Sequence, residues 1–309
     1  MNLFIHTALN ETNRAALRAQ VGPGHTVTFR NELTDTDAQT AFQQADVLMG
    51  NPPTELLDRA PNLKFWQLDS AGFDKYSGLN LSIPVSNMGD FFAWPCAETI
   101  VAGILALYRR INELAVLQQN KTWIGAPLRY GMSLLHKQQV VILGAGTIGQ
   151  AVRTILTGFE CSISLMARTD PSAQLHTREE LLAVLPHTDL LINCLPGSVH
   201  SFVDAEVFAA MKPGSVFANV GRGNTADETA LIDALQRGHL SGAALDVTVQ
   251  EPLPADSPLW TMPNVMLTQH TAGGQRFEDE GKMALFVRNL KHLEQGEPLE
   301  NPVQLSRGY

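Results

Sequence analysis

The sequence predicts an α/β protein that contains two doubly wound parallel sheets. Short apolar runs alternate with helix-length amphipathic segments along all 309 residues, a pattern typical of parallel strands joined by crossover helices. The runs form two series, and a long helical stretch without proline lies between them. Two α/β domains are therefore the simplest interpretation.

The first series contains five candidate strands. Segments such as NETNRAALRAQ and DTDAQTAFQQ separate them and carry residues that form and cap helices. The five candidates are NLFIH, TVTFR, DVLMG, LKFWQL and IPVSN.

The stretch between the two series, residues 97–120, has no proline and only one glycine, Gly103. We expect it to form a single long helix that links the domains. Its apolar residues cover more than one side of that helix, which indicates burial. Burial between the two domains and burial against a second subunit both fit this pattern.

The second series contains six candidate strands and is followed by one more predicted helix. The strands are QVVILG, SISLMA, DLLINC, SVFANV, GAALDV and NVMLT, and the helix ends near Gly296. If this helix packs back onto the first domain, that domain is discontinuous in sequence. The expected domains are then 1–96 with 275–309, and 97–274, with the linking helix at 97–120.

Composition and charge disfavour several classes of protein. A hydrophobic fraction of 44% is ordinary for a globular chain, and a net charge of −9 disfavours nucleic acid and anionic membranes as partners. The N-terminus does not resemble a signal peptide, and no apolar run approaches the roughly 18 residues that cross a bilayer. The three cysteines lack CxxC spacing, and the eight histidines other than His270 lack ligand spacing with one another. We therefore expect no metal site and a cytoplasmic protein.

A glycine-rich turn follows the first strand of the second series. In VVILGAGTIGQAVRTIL, Gly144 permits a tight turn, Gly146 lets the backbone approach a pyrophosphate, and Gly149 permits close contact between helix and strand. Amides at the start of the helix would bind the phosphates. The flanking strand and helix make a dinucleotide site the expected function of this turn. Its expected cofactor contacts are Gly144, Ala145, Gly146, Thr147, Ile148 and Gly149.

The end of the next strand predicts which dinucleotide is bound. In NAD-selective sheets, an acidic residue about 20 positions beyond the glycine turn bonds to the ribose 2′-hydroxyl. Ala167 stands at that position, and Arg168 and Thr169 follow it. A guanidinium binds a 2′-phosphate bidentately, and a hydroxyl adds a further hydrogen bond. We expect a preference for NADPH, with NADH still usable; an Arg168 that only lies over the adenine is the alternative.

Three further polar residues follow strands of the second series. Arg222 lies between two glycines in NVGRGN, Glu251 follows the strand that ends at Asp246, and His270 follows the last strand. Ligands bind outside the carboxyl ends of the strands in such sheets, so we expect these side chains near the glycine turn. Reduction of a 2-oxo acid uses such a set. The guanidinium binds the carboxylate and carbonyl oxygens, the imidazole donates a proton, and the carboxylate orients the imidazole.

The chain resembles the D-isomer-specific 2-hydroxyacid dehydrogenase family over nearly its whole length. The resemblance lies in LGAGTIG, INCLPGSVHSF, MKPGSVFANVGRGNTADETALIDAL, GAALDVTVQEPLPADSPLW and NVMLTQHTAGG. It implies a Rossmann-type cofactor domain, a flavodoxin-like substrate domain and a homodimer formed through the linking helix. It also implies that Arg222 binds substrate, that His270 is the acid/base and that Glu251 is its partner.

The resemblance implies further contacts with substrate and cofactor. Ala71 and Gly72, in DSAGFDKY, would bind the substrate carboxylate through backbone amides. Asp246 would contact the nicotinamide carboxamide. Further cofactor contacts are expected at Cys194, Leu195, Pro196, Val220, Gly221 and Gly273.

Within the family, the chain looks most like the glyoxylate/hydroxypyruvate reductase A branch, on ADSPLW and the closing Arg307, Gly308 and Tyr309. It departs from the family pattern at Gln269, where proline is usual before the histidine, and in NMGDFFAWPCAET. We expect the aromatic residues of the second stretch, Trp94 included, to shape the substrate pocket.

The leading hypothesis is NADPH-dependent reduction of glyoxylate or hydroxypyruvate to the 2-hydroxy acid. A second enzyme hypothesis is a reductase for bulkier 2-oxo acids, because the aromatic residues near Trp94 would line an apolar pocket. A nucleotide-sensing module without turnover would use the same fold. The set of Arg222, Glu251 and His270 argues against a sensor, which needs no proton donor.

Overall fold

The structure, a computed structural model, describes residues 1–57 and 60–307. Gly308 and Tyr309, on which the predicted branch partly depends, lie outside the described residues. The chain divides into two compact units, Met1–Phe91 with Gln275–Tyr309, and Phe92–Gly274. Across the described part, no helix has the length and apolarity needed to cross a membrane.

The described residues form twelve strands and ten α-helices. The strands are β1 Asn2–Ile5, β2 Thr26–Phe29, β3 Val47–Met49, β4 Phe65–Gln67, β5 Val85–Ser86, β6 Gln139–Leu143, β7 Ser162–Met166, β8 Leu190–Asn193, β9 Val216–Asn219, β10 Gly242–Leu245, β11 Val265–Leu267 and β12 Pro302–Val303. The helices are α1 Glu11–Val21, α2 Asp35–Gln43, α3 Thr54–Leu57, α4 Ala93–Tyr108, α5 Ile111–Gln119, α6 Thr147–Thr157, α7 Arg178–Val184, α8 Ala205–Ala210, α9 Glu228–Gln236 and α10 Glu278–Gln295. All eleven predicted strands are present, and β12 was not predicted.

The first unit contains a flavodoxin-like sheet. Its strand order is β12-β5-β4-β3-β1-β2; β1 to β5 are parallel, and β12 runs antiparallel to β5. The last helix, α10, belongs to this unit: Phe286 and Leu290 pack in one core with Ile5. It ends as predicted before Gly296, whose φ of 69° gives a left-handed C-cap.

The second unit contains a parallel sheet of order β11-β10-β9-β8-β6-β7. Leu175 adds a single parallel bridge to Met166 beyond β7, so the third strand of the Rossmann order is reduced to one bridge. Helix α4 packs on one face, where Ile100 and Ile104 meet Ile142. Strand β7 lies on one side of β6 and strand β8 on the other, so the strand order reverses between β6 and β8. The glycine turn follows β6 at this point.

The prediction of a single helix over 97–120 is wrong. Helix α4 ends at Tyr108, and Arg110 stands between it and α5 with a left-handed φ of 54°. The break has a tertiary cause. The Ser133 amide donates to the Tyr108 carbonyl at 2.8 Å, and Arg109 donates to the Ser133 carbonyl at 3.2 Å. A distant segment thus binds the end of α4, and no local proline or glycine signals it.

Candidate active site

The glycine turn packs tightly at two glycines and leaves open space at the third. Gly144 has a φ of 99°, and a Cβ there would lie 3.0 Å from the Cys194 carbonyl oxygen. A Cβ on Gly149 would lie 2.1 Å from the Gly144 carbonyl oxygen. A Cβ on Gly146 would meet nothing within 4 Å. The backbone at Gly146 is therefore open to a close approach by a ligand.

The start of α6 has the properties of a diphosphate site. Gly146 is its N-cap residue and offers no side-chain acceptor to the amides of the first turn. These amides and the positive end of the helix dipole favour an anion at this position. The residues of the turn therefore fit the dinucleotide that the sequence predicts.

Two buried asparagines shape the loops after β8 and β9. Asn193 Oδ1 accepts a hydrogen bond from the Leu195 amide at 3.1 Å, and Asn193 Nδ2 donates to Thr225 Oγ1 at 2.6 Å. Asn219 Oδ1 accepts from the Gly221 amide at 3.1 Å. A Cβ on Gly221 would lie 2.4 Å from the Leu195 carbonyl oxygen, so the two loops abut. Neither asparagine was predicted as a site residue, although each is a polar residue at the end of an apolar strand.

Two cysteines near these loops are neutral thiols. Burial, with a smaller effect of the nearby Cys96, raises the pKa of Cys194 to about 12. Burial and the Asp246 carboxylate raise the pKa of Cys96, in α4, to about 11, against a lowering effect of Arg222. At neutral pH both are weak nucleophiles, which gives them a packing role. Among the described residues, no three metal-ligating side chains are grouped.

His270 and Glu251 form a hydrogen-bonded pair in the second unit. His270 Nδ1 lies 2.6 Å from Glu251 Oε2, and Glu251 Oε1 accepts from the Thr248 amide at 3.1 Å. The side chains are 48% and 36% exposed. With Nδ1 facing the carboxylate, Nε2 is the ring nitrogen that can face a ligand. The structure thus brings together two of the three predicted catalytic residues.

Asp246 holds the loop that carries His270. Its Oδ1 accepts from Thr268 Oγ1 at 2.7 Å, from the Thr271 amide at 3.0 Å and from the Ala272 amide at 3.1 Å. Its backbone carbonyl accepts from the His270 amide at 2.5 Å. Asp246 is itself buried, so the hydrogen bonds that hold this loop are made to a group in the interior of the unit.

The backbone conformation at Gln269 is incompatible with proline. Gln269 has a φ of 56° and His270 a φ of 54°, so two consecutive residues are left-handed. The proline ring fixes φ near −65°, which excludes this conformation. The departure from the family pattern therefore coincides with a turn that proline cannot form.

A pocket of about 440 Å³ adjoins the His270–Glu251 pair. Its walls are largely apolar and come from the segment between β10 and β11, the last residue of β11 and the loop after it. The lining residues are Asp246, Thr248, Glu251, Pro252, Leu253, Trp260, Leu267, Gln269 and His270.

Arg222 follows β9 and is half-buried. Its Nη1 donates to the Gly221 carbonyl at 2.8 Å. A Cβ on Gly223 would lie 1.9 Å from the Thr248 carbonyl oxygen, so the Arg222 loop abuts the residue that binds Glu251. The loops of all three predicted catalytic residues are therefore neighbours.

The predicted carboxylate loop, Ala71 and Gly72, follows β4 in the first unit. Asn87 Nδ2 donates to the Ala71 carbonyl at 2.6 Å, and Ser70 Oγ donates to the Gly72 carbonyl at 2.6 Å. Asn51 Nδ2 donates in turn to Ser70 Oγ at 2.9 Å. Two polar side chains therefore hold the carbonyl groups of this loop, and Asn51 supports one of them.

The remaining predicted residues of the second unit differ in exposure. Arg168 and Thr169 are exposed after β7, and Ala167 is half-buried. Trp94 is the second residue of α4 and is 52% exposed. Gly273 packs against Phe92, because a Cβ there would lie 3.0 Å from the Phe92 ring.

Comparison with known proteins shows which family this chain resembles. Residues 101–272 match the family model of the D-isomer specific 2-hydroxyacid dehydrogenase, NAD binding domain. The glyoxylate/hydroxypyruvate reductase B of Citrobacter koseri is 34% identical over 290 residues, which cover 89% of each chain.

Two crystal structures resemble this chain over almost all of its length. The D-isomer specific 2-hydroxyacid dehydrogenase of Xanthobacter autotrophicus, in complex with NADPH and MES, is 27% identical with a TM-score of 0.82, covering 100% of this chain and 99% of its own. An NADPH-dependent glyoxylate/hydroxypyruvate reductase of Sinorhizobium meliloti, in complex with citrate, is 26% identical with a TM-score of 0.80, covering 99% and 98%.

Proposed function

Because the chain belongs to the D-isomer specific 2-hydroxyacid dehydrogenase family, we propose that it reduces glyoxylate or hydroxypyruvate to the 2-hydroxy acid with NADPH. Membership makes it an NAD(P)-dependent oxidoreductase. These two substrates are the ones named for its relatives of the reductase B branch, whereas the sequence favours branch A. The single observation that carries the proposal is the His270–Glu251 pair at 2.6 Å, in the unit that contains the glycine turn.

Each proposed site residue would have a distinct role in the reaction. Bound NADPH would supply the hydride. His270 donates a proton from Nε2 to the carbonyl oxygen as the carbon is reduced, and Glu251 keeps the ring oriented through Nδ1. Arg222 binds the carboxylate and carbonyl oxygens of the substrate. The Ala71 and Gly72 amides bind the substrate carboxylate.

The cofactor contacts proposed for this chain are those that the sequence predicts. The turn from Gly144 to Gly149 takes the diphosphate, and Arg168 with Thr169 takes the 2′-phosphate. We expect wild-type kcat/KM to be higher with NADPH than with NADH, and Arg168→Ala to reduce that ratio. Equal use of both cofactors by the wild type, or a ratio that Arg168→Ala leaves unchanged, contradicts this assignment.

A reductase for bulkier 2-oxo acids is the second candidate. The observation that favours it is the pocket of about 440 Å³ with apolar walls at Pro252, Leu253, Trp260 and Leu267. Steady-state kcat/KM across 2-oxo acids of increasing side-chain size separates the two candidates. Glyoxylate and hydroxypyruvate should give the highest values. A maximum at branched or aromatic 2-oxo acids would favour the second candidate.

We also propose that the protein is a cytoplasmic homodimer. Apolar side chains that are more than half exposed lie close together in the chain at Ile111, Val116, Trp123, Tyr130 and Leu134. An apolar surface of this kind is typical of a protein interface. Free thiols at the three cysteines support a reducing compartment.

A further inference from the structure

The loop after Arg168 contains a carboxylate close to the proposed 2′-phosphate site. Asp170 Oδ1 accepts hydrogen bonds from the Ser172 amide at 2.8 Å and from the Ser172 hydroxyl at 2.6 Å. The hydroxyl and then the amide lower the pKa of Asp170 below its ordinary value, so the group is ionised at neutral pH. A negative charge thus lies two residues from Arg168, the residue proposed to bind the phosphate, and it is turned toward Ser172.

A chain of hydrogen bonds connects this carboxylate to the glycine turn. Because the Ser172 hydroxyl donates to Asp170, its oxygen accepts from Gln150 Nε2 at 3.0 Å. Gln150 lies in α6 and also donates from Nε2 to the Ala145 carbonyl at 3.3 Å. We call Gln150, Ser172 and Asp170 the clamp.

The far end of the loop is fixed as well. His176 Nδ1 lies 2.8 Å from the Ala167 carbonyl oxygen, and the Ala167 amide donates to the Leu175 carbonyl at 3.0 Å. Residues on both sides of Arg168 are therefore held in place. The side chain of Asp170 is the group whose direction depends on the clamp.

We propose that the clamp determines cofactor preference by keeping the Asp170 carboxylate turned away from the ribose 2′-position. This rests on the proposed function, in which Arg168 binds a 2′-phosphate. A released carboxylate would compete with the phosphate for Arg168 and repel it. It would also accept a hydrogen bond from a ribose 2′-hydroxyl, as the acidic residue of NAD-selective sheets does. The clamp therefore favours NADPH in two ways: it prevents repulsion of the 2′-phosphate, and it withholds an acceptor from the 2′-hydroxyl of NADH. Ser172 and Gln150 are positioning residues.

Binding of two small nucleotides tests the clamp without turnover. Isothermal titration calorimetry gives the dissociation constants of adenosine 2′-monophosphate and adenosine 5′-monophosphate for the full chain. Ser172→Ala should weaken binding of the 2′-monophosphate about five-fold, the upper size expected for one exposed charge pair. Binding of the 5′-monophosphate, whose free 2′-hydroxyl can donate to the released carboxylate, should not weaken, and the NADPH to NADH ratio of kcat/KM should fall in parallel.

Two further variants separate a released charge from a disturbed loop. Ser172→Thr keeps the hydroxyl and should retain wild-type binding. Ser172→Ala combined with Asp170→Asn removes the released charge and should restore binding of the 2′-monophosphate. Thermal unfolding of each variant checks that it is folded.

The outcomes for the clamp and for the proposed function are distinct. A wild type that does not discriminate between the two monophosphates overturns the 2′-phosphate site at Arg168 and the clamp that depends on it, whereas a wild type that reduces no 2-oxo acid overturns the proposed function. A discriminating wild type whose discrimination Ser172→Ala leaves unchanged overturns the clamp alone. The clamp is also wrong if the double variant binds the 2′-monophosphate as weakly as Ser172→Ala.

Discussion

At the scale of single residues, Asp246 shows how one buried carboxylate organises a candidate active site. Three donors of the His270 loop converge on its Oδ1, and its carbonyl accepts from the His270 amide. The loop needs this support because it contains two consecutive left-handed residues. The resemblance implies that Asp246 also contacts the cofactor, and the geometry adds a structural role within the loop.

Substitution of the proposed substrate cation tests the site at this scale. Arg222→Lys keeps the charge and loses the planar pair of donors, so kcat/KM for glyoxylate should fall about 10- to 100-fold, the effect of one lost charged hydrogen bond. Arg237→Lys is the matched control, because Arg237 is 66% exposed and pairs only with Asp233 among the ion pairs of the described chain. An Arg222→Lys enzyme with wild-type kcat/KM would show that Arg222 does not hold the substrate.

The three predicted catalytic residues could be selected from sequence because each follows an apolar strand of one parallel sheet. The ends of such strands converge, so position along the chain, together with the family resemblance, selected them as candidates. Asn193 and Asn219 were missed because their value depends on which loop amides they bind. The Gln150–Ser172–Asp170 chain was missed for the same reason.

At the scale of secondary structure elements, the start of α6 has one glycine at the N-cap and one in the first turn, and their surroundings are opposite. A Cβ at position 149 would overlap a backbone carbonyl, whereas a Cβ at position 146 would enter open space. Gly146 has a φ of −70°, which alanine adopts without strain. Gly149 therefore serves packing, and Gly146 leaves room for the proposed diphosphate.

This contrast predicts different failures for two alanine variants. Gly149→Ala should lower the free energy of unfolding by about 1 to 3 kcal/mol, because backbone must move to admit the methyl group. Gly146→Ala should keep the wild-type Tm and weaken NADPH binding, because its methyl group occupies the expected path of the diphosphate. Thermal unfolding and fluorescence titration with NADPH measure the two effects. Equal NADPH affinity of Gly146→Ala and wild type would contradict a diphosphate at this position.

The elements show where local sequence stops being informative. Eleven strands followed from apolar runs, and the end of α10 followed from Gly296, because both signals are local. The break at Arg110 did not, since a segment more than 20 residues away binds the end of α4. The short antiparallel strand β12 was missed because its two residues, Pro302 and Val303, give no periodicity.

At the scale of the whole molecule, the proposed dimer makes a prediction about size in solution. Light scattering should give twice the chain mass of 33.7 kDa. Val116→Glu places a charge on the exposed apolar surface of α5 and should give a monomer, because burying an unpaired charge in an interface is costly. Phe277→Glu, on an equally exposed side chain outside the 111–134 stretch, should remain dimeric. A monomeric wild type, or a dimer that persists in Val116→Glu, would contradict an interface at this surface.

The central claim is that this chain reduces a 2-oxo acid with a proton from His270, and one comparison tests it most directly. NADPH oxidation is followed with glyoxylate and with hydroxypyruvate for the wild type and for His270→Ala, and the NADPH dissociation constant is measured for both. The wild type should turn over, and His270→Ala should lower kcat about 10²- to 10⁴-fold with little change in NADPH affinity. A His270→Ala enzyme within a few-fold of wild-type kcat, or a wild type that binds NADPH tightly and reduces no 2-oxo acid, would contradict the account.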